Sequence, residues 1–356
     1  MNKIFFITAG GTGGHIIPAI SIYYALKNRN YNVKFLCRKK DLKIVEQLRP
    51  IVHNLLFLPG KGLKRKFSLD NIFSLIYLLY GIIISLFWIL KFKPDAILSF
   101  GGYISFPILV SGALKKIPIF LFEQNSYPGI VNRIFKRWAK VIFVNFKYTQ
   151  KFFKNSIIVG NPVRDSLKRK ISKKECARFF NIRPKNVILV MGGSQGALKI
   201  NEIFSKIVDE LKNFEIIWIT GKFHFYKFKS KAKRGKIYIT PYLKEMEYAY
   251  NIAKLAITRA GALTITELSY FGIPAILIPL PHSAENHQLI NAKIIEKSGG
   301  GIVIEESELT PRILFDKINK IFKNKSQLKK MGNSIKKFYK QDATKKIIKI
   351  IEEKLK

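Results

Sequence analysis

Two apolar runs lead straight into glycine-rich turns, and no other feature constrains the fold as much. The first is Ile4-Phe5-Phe6-Ile7-Thr8-Ala9 followed by Gly10-Gly11-Thr12-Gly13-Gly14-His15. The second is Val187-Ile188-Leu189-Val190-Met191 followed by Gly192-Gly193-Ser194-Gln195-Gly196-Ala197. A buried strand that enters a glycine turn and then a helix brings backbone N–H groups to the open edge of a sheet. The helix dipole adds partial positive charge there, so such a place receives a phosphate or another anion. Two units at domain-length spacing predict two nucleotide-fold domains facing each other across a cleft.

The chain has 356 residues, enough for two domains with full cores. Short β-rich apolar runs alternate with helical patterns, which predicts βαβ units and parallel sheets. The expected strands of the first half are Ile4–Thr8, Val33–Leu36, Ala96–Phe100, Ile119–Glu123, Val141–Val144 and Ile157–Val159. Those of the second half are Val187–Met191, Glu215–Ile219, Ile237–Thr240, Leu255–Thr258, Ala275–Ile278 and Gly301–Ile304. Between them, Gly160-Asn161-Pro162-Val163 reads as a hinge. The division expected is therefore 1–163 and 164–340. A long basic helix is expected from about Lys329 to Lys356, its last part (341–356) returning to the first domain.

Charge is extreme, with 63 Lys+Arg against 23 Asp+Glu and a formal net charge of +40. Such a field attracts any polyanion. The lysines are spread along the whole length without an aromatic-interleaved signature, so no nucleic-acid partner is expected. Cys37 and Cys176 lack CxxC or ligand spacing, and no charged and apolar leader precedes the first glycines. Both point to a reducing, cytoplasmic compartment without disulfides.

Residues Ile72 to Leu90 carry no charge and only Ser74, Gly81 and Ser85 as small or weakly polar breaks. As a helix this segment is about 28 Å long, enough to cross a hydrocarbon core. It lies between two strands of one expected sheet, which spanning would tear apart. Lys61, Lys64, Arg65 and Lys66 precede it, and Lys91 and Lys93 follow. Apolar surface rimmed by cations is the pattern of peripheral attachment to anionic lipid, so the expectation is an interfacial helix. A fully buried core helix is the second reading, and a spanning helix the third.

The dinucleotide fingerprint fails. From Gly11 the pattern reaches Ile16 where the third glycine belongs, and the second strand ends Cys37-Arg38 without a carboxylate for a ribose. No Walker lysine follows either turn. His15 stands at the start of the expected helix, where a neutral imidazole could take a proton from a substrate hydroxyl or could instead cap the helix or hold the loop. Glu123-Gln124-Asn125 and Gly101-Gly102-Tyr103 each follow an apolar run, so polar groups converge on one sheet edge. In the second half, Arg259 is positioned as an anion clamp. Gly261 and Ala262 allow close backbone approach, and Glu267 is placed to take two ribose hydroxyls; the bland alternative for Glu267 is a solvated helix carboxylate. His282 and His287 do not form a facing pair, so no metal site is expected. Gln288 and Asn291 are i and i+3 and face one direction.

Gly10–Ala19, Ser99–Tyr103, Glu123–Asn125, Gly160–Arg164, Gly192–Ala197, Arg259–Ala262 and His287–Ala292, taken together and in order, resemble the MurG family. These peptidoglycan glycosyltransferases move N-acetylglucosamine from its UDP donor onto lipid I, making lipid II. The resemblance implies a GT-B fold with two Rossmann-like domains, inversion at the anomeric carbon, and no metal or cofactor. It implies a donor site in the C-terminal domain: Ser194 and Arg164 at the diphosphate or sugar with Arg259 nearby, Leu243 meeting uracil through its backbone, Glu267 the ribose and Gln288 the sugar hydroxyls. Ala262, Leu263, Thr264, Ile265, Thr266 and Glu267 form one binding stretch. Thr12-Gly13-Gly14 then faces the acceptor diphosphate or donor sugar, Asn125 binds sugar, and Tyr103 lies on the acceptor side. His15 or Glu123 is the base for the acceptor's C4 hydroxyl. The implied partners are UDP-N-acetylglucosamine, lipid I and an anionic membrane, at the cytoplasmic face of the bacterial inner membrane. The chain departs from the family pattern at Thr258, where serine is usual, and at Glu285-Asn286, where two aspartates are common.

Overall fold

Apolar runs rich in Val, Ile and Phe form fully buried parallel strands, as expected when helices cover both faces of a sheet. The computed structural model describes residues 3–42, 54–59, 69–193 and 196–356, with backbone only for 69–73. The chain divides into two compact units, Met1–Arg164 with Lys340–Lys356, and Asp165–Tyr339.

The first unit holds a seven-stranded sheet: β1 (Ile4–Thr8), β2 (Asn32–Cys37), β3 (Leu55–Phe57), β4 (Ala96–Ser99), β5 (Ile119–Glu123), β6 (Ala139–Val144) and β7 (Ser156–Ile158). Their spatial order is β3-β2-β1-β4-β5-β6-β7, and each pairing is parallel. The three-residue edge strand β3 is absent from the sequence expectation, being too short for alternation to be legible. The second unit holds β8 (Val187–Met191), β9 (Glu215–Ile219), β10 (Ile237–Thr240), β11 (Leu255–Thr258), β12 (Ala275–Leu277) and β13 (Gly301–Val303). Their order is β10-β9-β8-β11-β12-β13, again parallel. In each sheet the order reverses beside the strand that feeds a glycine turn: between β1 and β4, and between β8 and β11. Ligands of doubly wound sheets bind outside the carboxyl ends of strands at such switch points.

Four helices matter in the first unit: α1 (Gly13–Lys27), α2 (Leu69–Phe92), α3 (Ser105–Leu114) and α4 (Ile130–Phe135). In the second they are α5 (Lys173–Phe180), α6 (Leu198–Ile207), α7 (Met246–Ile252), α8 (Ala262–Phe271), α9 (His287–Lys297), α10 (Pro311–Lys323) and α11 (Lys325–Lys336). α12 (Ala343–Lys354) belongs to the first unit. The single basic helix expected from about Lys329 to Lys356 is thus two helices. Met331 of α11 joins the core of the second unit, whereas Ile347, Ile348 and Ile351 of α12 join that of the first beside α1. One straight helix cannot bury its apolar stripe in two cores; the break falls before Asp342, which is left-handed at φ 56°.

Helix α2 inverts the pattern of a water-soluble helix. Ser74, Gly81 and Ser85 face inward, where Gly81 meets Pro107 and Ser111 Oγ donates to the Ile82 carbonyl at 3.2 Å. Leu75, Ile76, Tyr77, Leu79, Tyr80, Ile83, Phe87 and Leu90 are exposed. The stretch Ser74–Phe92 is long and apolar enough to cross a membrane by length and composition, yet only 17% of its most apolar window is buried. That exposure rules out the core-helix reading. Lys61, Lys64, Arg65 and Lys66 lie outside the described residues.

Candidate active site

The first glycine turn opens helix α1. Gly11 takes φ 92°, which favours glycine. Thr12 is the N-cap in extended conformation without a side-chain cap bond, and the first turn of α1 contains no acid. N–H groups at the start of a helix lie outside its ladder, as do those of Gly13 and Gly14. Two groups that sequence reading did not single out brace this turn. Asp41, buried just beyond β2, accepts from Gly11 N at 3.4 Å. Arg38 holds the same carboxylate through Nε at 2.8 Å and Nη2 at 2.7 Å. A short local run, Arg38-Lys39-Lys40-Asp41, was the available signal.

His15 Nδ1 lies 3.2 Å from the Gly10 carbonyl. A carbonyl only accepts, so the contact assigns the ring proton to Nδ1 and the lone pair to Nε2. A Cβ at Gly101, the residue beyond β4 across the switch point, would lie 3.7 Å from Nε2. Gly101 and Gly102 both have positive φ, and a side chain at Gly102 would come 3.1 Å from the Gly10 carbonyl. Ser99 and Ser105 tie this second turn by hydrogen bonds to Gly101 N and Gly101 O. Tyr103 is exposed beside it.

Glu123, at the end of β5, is buried and wholly engaged with its own loop. Oε1 accepts from Asn125 N at 3.0 Å and Asn125 Nδ2 at 3.5 Å; Oε2 accepts from Gly129 N and Asn132 Nδ2, both at 2.9 Å. Burial pushes its carboxyl above the usual range, opposed by these donors. The carboxylate shapes the loop that carries Asn125. Arg164 falls at the end of the first unit rather than with the strands of the second.

In the second unit, Ser194 and Gln195 lie outside the described residues. Gly192 and Gly196 are demanded by their own surroundings: added Cβ atoms would lie 2.1 Å from Ala197 N and 2.3 Å from the Thr220 carbonyl. Beyond β10, Leu243 is buried. Beyond β11, Arg259 is buried and hydrogen-bonded to the loop after β12. Its Nη1 donates to the carbonyls of Ile278 at 3.2 Å and Pro279 at 3.1 Å, and its Nη2 pairs with Glu306. The guanidinium braces the loop after β12 by donating to carbonyls at its strand end.

Helix α8 starts after Gly261 with Ala262, Leu263, Ile265 and Thr266 buried and Thr264 half-buried. Thr266 Oγ1 donates back to the Ala262 carbonyl at 2.9 Å. Glu267 is buried, not solvated, and Oε2 accepts from the Tyr250 phenol at 2.8 Å. Thr258, fully buried, has a hydroxyl without a hydrogen-bond partner among the described residues. The loop before α9 is strained: His282, Glu285 and Asn286 all have positive φ. Gln288 fastens it, its Oε1 accepting from Leu280 N at 3.0 Å, while Asn291 donates to the Ala260 carbonyl at 3.1 Å. Gln288 and Asn291 therefore tie two strand-end loops together. His287 Nδ1 lies 2.6 Å from the Ala284 carbonyl, and burial pushes its imidazole down. Among the described residues, no three His, Cys, Asp or Glu side chains gather as a metal site.

Residues 5–144 match the model of the glycosyltransferase family 28 N-terminal domain, and residues 187–347 that of the family 28 C-terminal domain. Several relatives align from end to end and are named UDP-N-acetylglucosamine–N-acetylmuramyl-(pentapeptide) pyrophosphoryl-undecaprenol N-acetylglucosamine transferase. That of Thermoanaerobacter sp. (strain X514) is 37% identical, covering 98% of this chain and 99% of the relative. That of Bacillus subtilis is 32% identical, covering 98% of each. The chain belongs to the MurG branch of glycosyltransferase family 28. Its fold is the GT-B pair of Rossmann-like units. The crystal structure of Acinetobacter baumannii MurG superposes with a TM-score of 0.78 at 25% identity, covering 99% of this chain and all of that one. A UDP-GlcNAc 2-epimerase from Neisseria meningitidis shares the fold with a TM-score of 0.72 at 17% identity. Both family 28 segments begin at the strands that feed the glycine turns, β1 and β8.

Proposed function

We infer that this chain transfers N-acetylglucosamine from UDP-N-acetylglucosamine to the C4 hydroxyl of the muramoyl sugar of lipid I, releasing UDP and forming lipid II with inversion. The observation that carries this is end-to-end identity with relatives named for the reaction. The first unit is the acceptor unit and the second the donor unit. In the donor unit, the strand ends of β8 and β11 support a diphosphate at the Gly192–Gly196 turn and Ser194. Leu243 takes the uracil through its backbone, Ala262–Thr266 line the site, Glu267 takes the ribose, and Gln288 the sugar. Arg259 acts here by bracing the β12 loop. Arg164 is read as a contact of the donor diphosphate or sugar.

In the acceptor unit, Thr12, Gly13 and Gly14 face the acceptor diphosphate or the donor sugar, Asn125 contacts sugar, and Tyr103 lies on the acceptor side. His15 is the base. Its Nε2 takes the C4 hydroxyl proton as the oxygen attacks the anomeric carbon, the carbon–oxygen bond to UDP breaks, and the pair of electrons leaves on the diphosphate. Helix dipoles and backbone N–H groups stabilise that charge. His15→Ala should lower kcat by about 10²–10⁴-fold with the fold intact. Wild-type turnover would overturn the assignment. Assays with UDP-N-acetylglucosamine and a lipid I analogue should show acceptor-dependent UDP release that persists in EDTA; loss of turnover in EDTA would count against the metal-free reading.

The exposed face of α2 is a membrane-surface contact at the cytoplasmic face of the inner membrane. Its outward Leu, Ile, Tyr and Phe side chains support this, as does Lys91, whose ammonium lies over the rings of Phe87, Trp88 and Phe92 at the helix end. Binding to anionic vesicles should weaken with salt and be reversed by carbonate. Retention in carbonate would support spanning instead.

A further inference from the structure

Tyr250 lies on α7, between β10 and β11, and is as buried as the carboxylate it meets. Its phenol donates to Glu267 Oε2 at 2.8 Å and approaches Met191 Sδ at 4.0 Å, at the end of β8. The ring stacks on Phe271 of α8, with centroids 5.3 Å apart and planes at 28°. The tyrosine therefore touches the last residue of the strand that feeds the second glycine turn, and it grips α8 at two points one turn apart. A hydrogen bond to one carboxylate oxygen fixes the plane of the whole carboxyl group. The stack prevents the phenol from swinging away.

We propose that Tyr250 is a positioning residue for donor recognition: it orients the Glu267 carboxylate toward the nucleotide ribose and thereby sets the preference for a ribose over a 2′-deoxyribose donor. The inference rests on the reading of Glu267 as the ribose acceptor. A carboxylate with a fixed plane accepts two vicinal hydroxyls at once. Without the phenol, the carboxylate loses that restraint, and part of its orientation must be fixed each time donor binds. The ribose is remote from the bond that breaks, so this loss falls on donor binding and not on the chemical step. A site built to bond a hydroxyl also rejects the analogue that lacks it, and that rejection is the property at stake.

The test compares UDP-N-acetylglucosamine with its 2′-deoxyuridine counterpart on the full-length protein. Tyr250→Phe keeps the ring stack and removes the hydroxyl. It should raise KM for the ribose donor about tenfold, leave kcat within about twofold, and leave kcat/KM for the deoxy donor within about twofold. Discrimination then falls about tenfold. Phe271→Leu loosens the stack without touching the phenol oxygen. It should lower Tm and retain most of the discrimination. Glu267→Gln reports on the underlying reading and should abolish discrimination. If Glu267→Gln abolishes it while Tyr250→Phe weakens both donors equally, or neither, the positioning role is overturned and the ribose reading stands. If Glu267→Gln discriminates like the wild type, the ribose reading itself falls. Should Tyr250→Phe fail to fold, Phe271→Leu decides: discrimination lost in proportion to Tm would mark the contact as structural only.

Discussion

The two glycine turns look alike in sequence and are glycine for different reasons. In the second, Gly192 and Gly196 are required by the chain itself, since neighbouring backbone leaves no room for a Cβ. In the first, Gly10 is hemmed in by Asp41 and Ile104, and Gly11 is set by its positive φ. Gly13 and Gly14 answer to neither demand: the nearest atoms to an added Cβ are 3.6 Å and 3.5 Å away, on flexible side chains. Glycine where the protein does not need it marks a backbone that something else approaches. The first turn thus keeps room beside Gly13 and Gly14, in line with the reading that it receives the acceptor diphosphate, whereas the second is first a packing solution that fixes β8 against β9.

That contrast can be broken most directly at Gly196. Alanine there would meet the Thr220 carbonyl at φ 80°, and we expect a stability loss above about 3 kcal/mol in urea unfolding. A mild effect would remove the packing argument. Gly13→Ala should do the opposite. Stability should change by less than about 1 kcal/mol, because alanine suits a helix start better than glycine, while kcat/KM for the lipid acceptor falls about 100-fold, near 2.7 kcal/mol. Unaltered acceptor kinetics would show that the open space receives nothing. A third substitution sharpens the role of the loop beside the first turn. Glu123→Gln turns an acceptor oxygen into a donor facing Gly129 N or Asn132 Nδ2, and should cost about 2 kcal/mol of stability and raise the KM for acceptor. If instead kcat collapses while stability holds, the base is Glu123 and not His15. The smallest effect is expected at Thr258. Valine replaces a buried, unpartnered hydroxyl with a methyl of similar size, so stability should stay level or rise by up to about 1 kcal/mol. A clear loss would mean that the hydroxyl has a partner in the working protein.

Much of the site could be located from local pattern alone. Each strand, glycine turn and helix start is encoded by neighbours within a few residues, so the motifs fell at strand ends as expected. The edge strand Leu55–Phe57 was not legible, because three residues carry no periodicity. Roles were harder to read than places. The partners of Arg259, namely Ile278, Pro279 and Glu306, come from other segments. Those of Glu123 come from the loop and helix that follow it. Asp41, Arg38 and Tyr250 gave no motif at all, since their meaning depends on which side chains they meet.

By itself, the sequence determined two parallel α/β units, glycine turns at the ends of buried strands, an uncharged apolar helix and, through its motifs, the family. Only the tertiary structure decided that Ser74, Gly81, Ser85 and Ile89 of α2 face inward while Leu75, Ile76, Leu79, Ile83, Phe87 and Leu90 face outward. It alone turned the basic C-terminal stretch into two helices serving different cores, and it alone committed Arg259 and Glu123 to bracing loops. The reason is physical. Secondary structure follows from short-range sterics and periodicity, but what a charged or polar group can do depends on burial and on hydrogen-bond partners that arrive from distant parts of the chain.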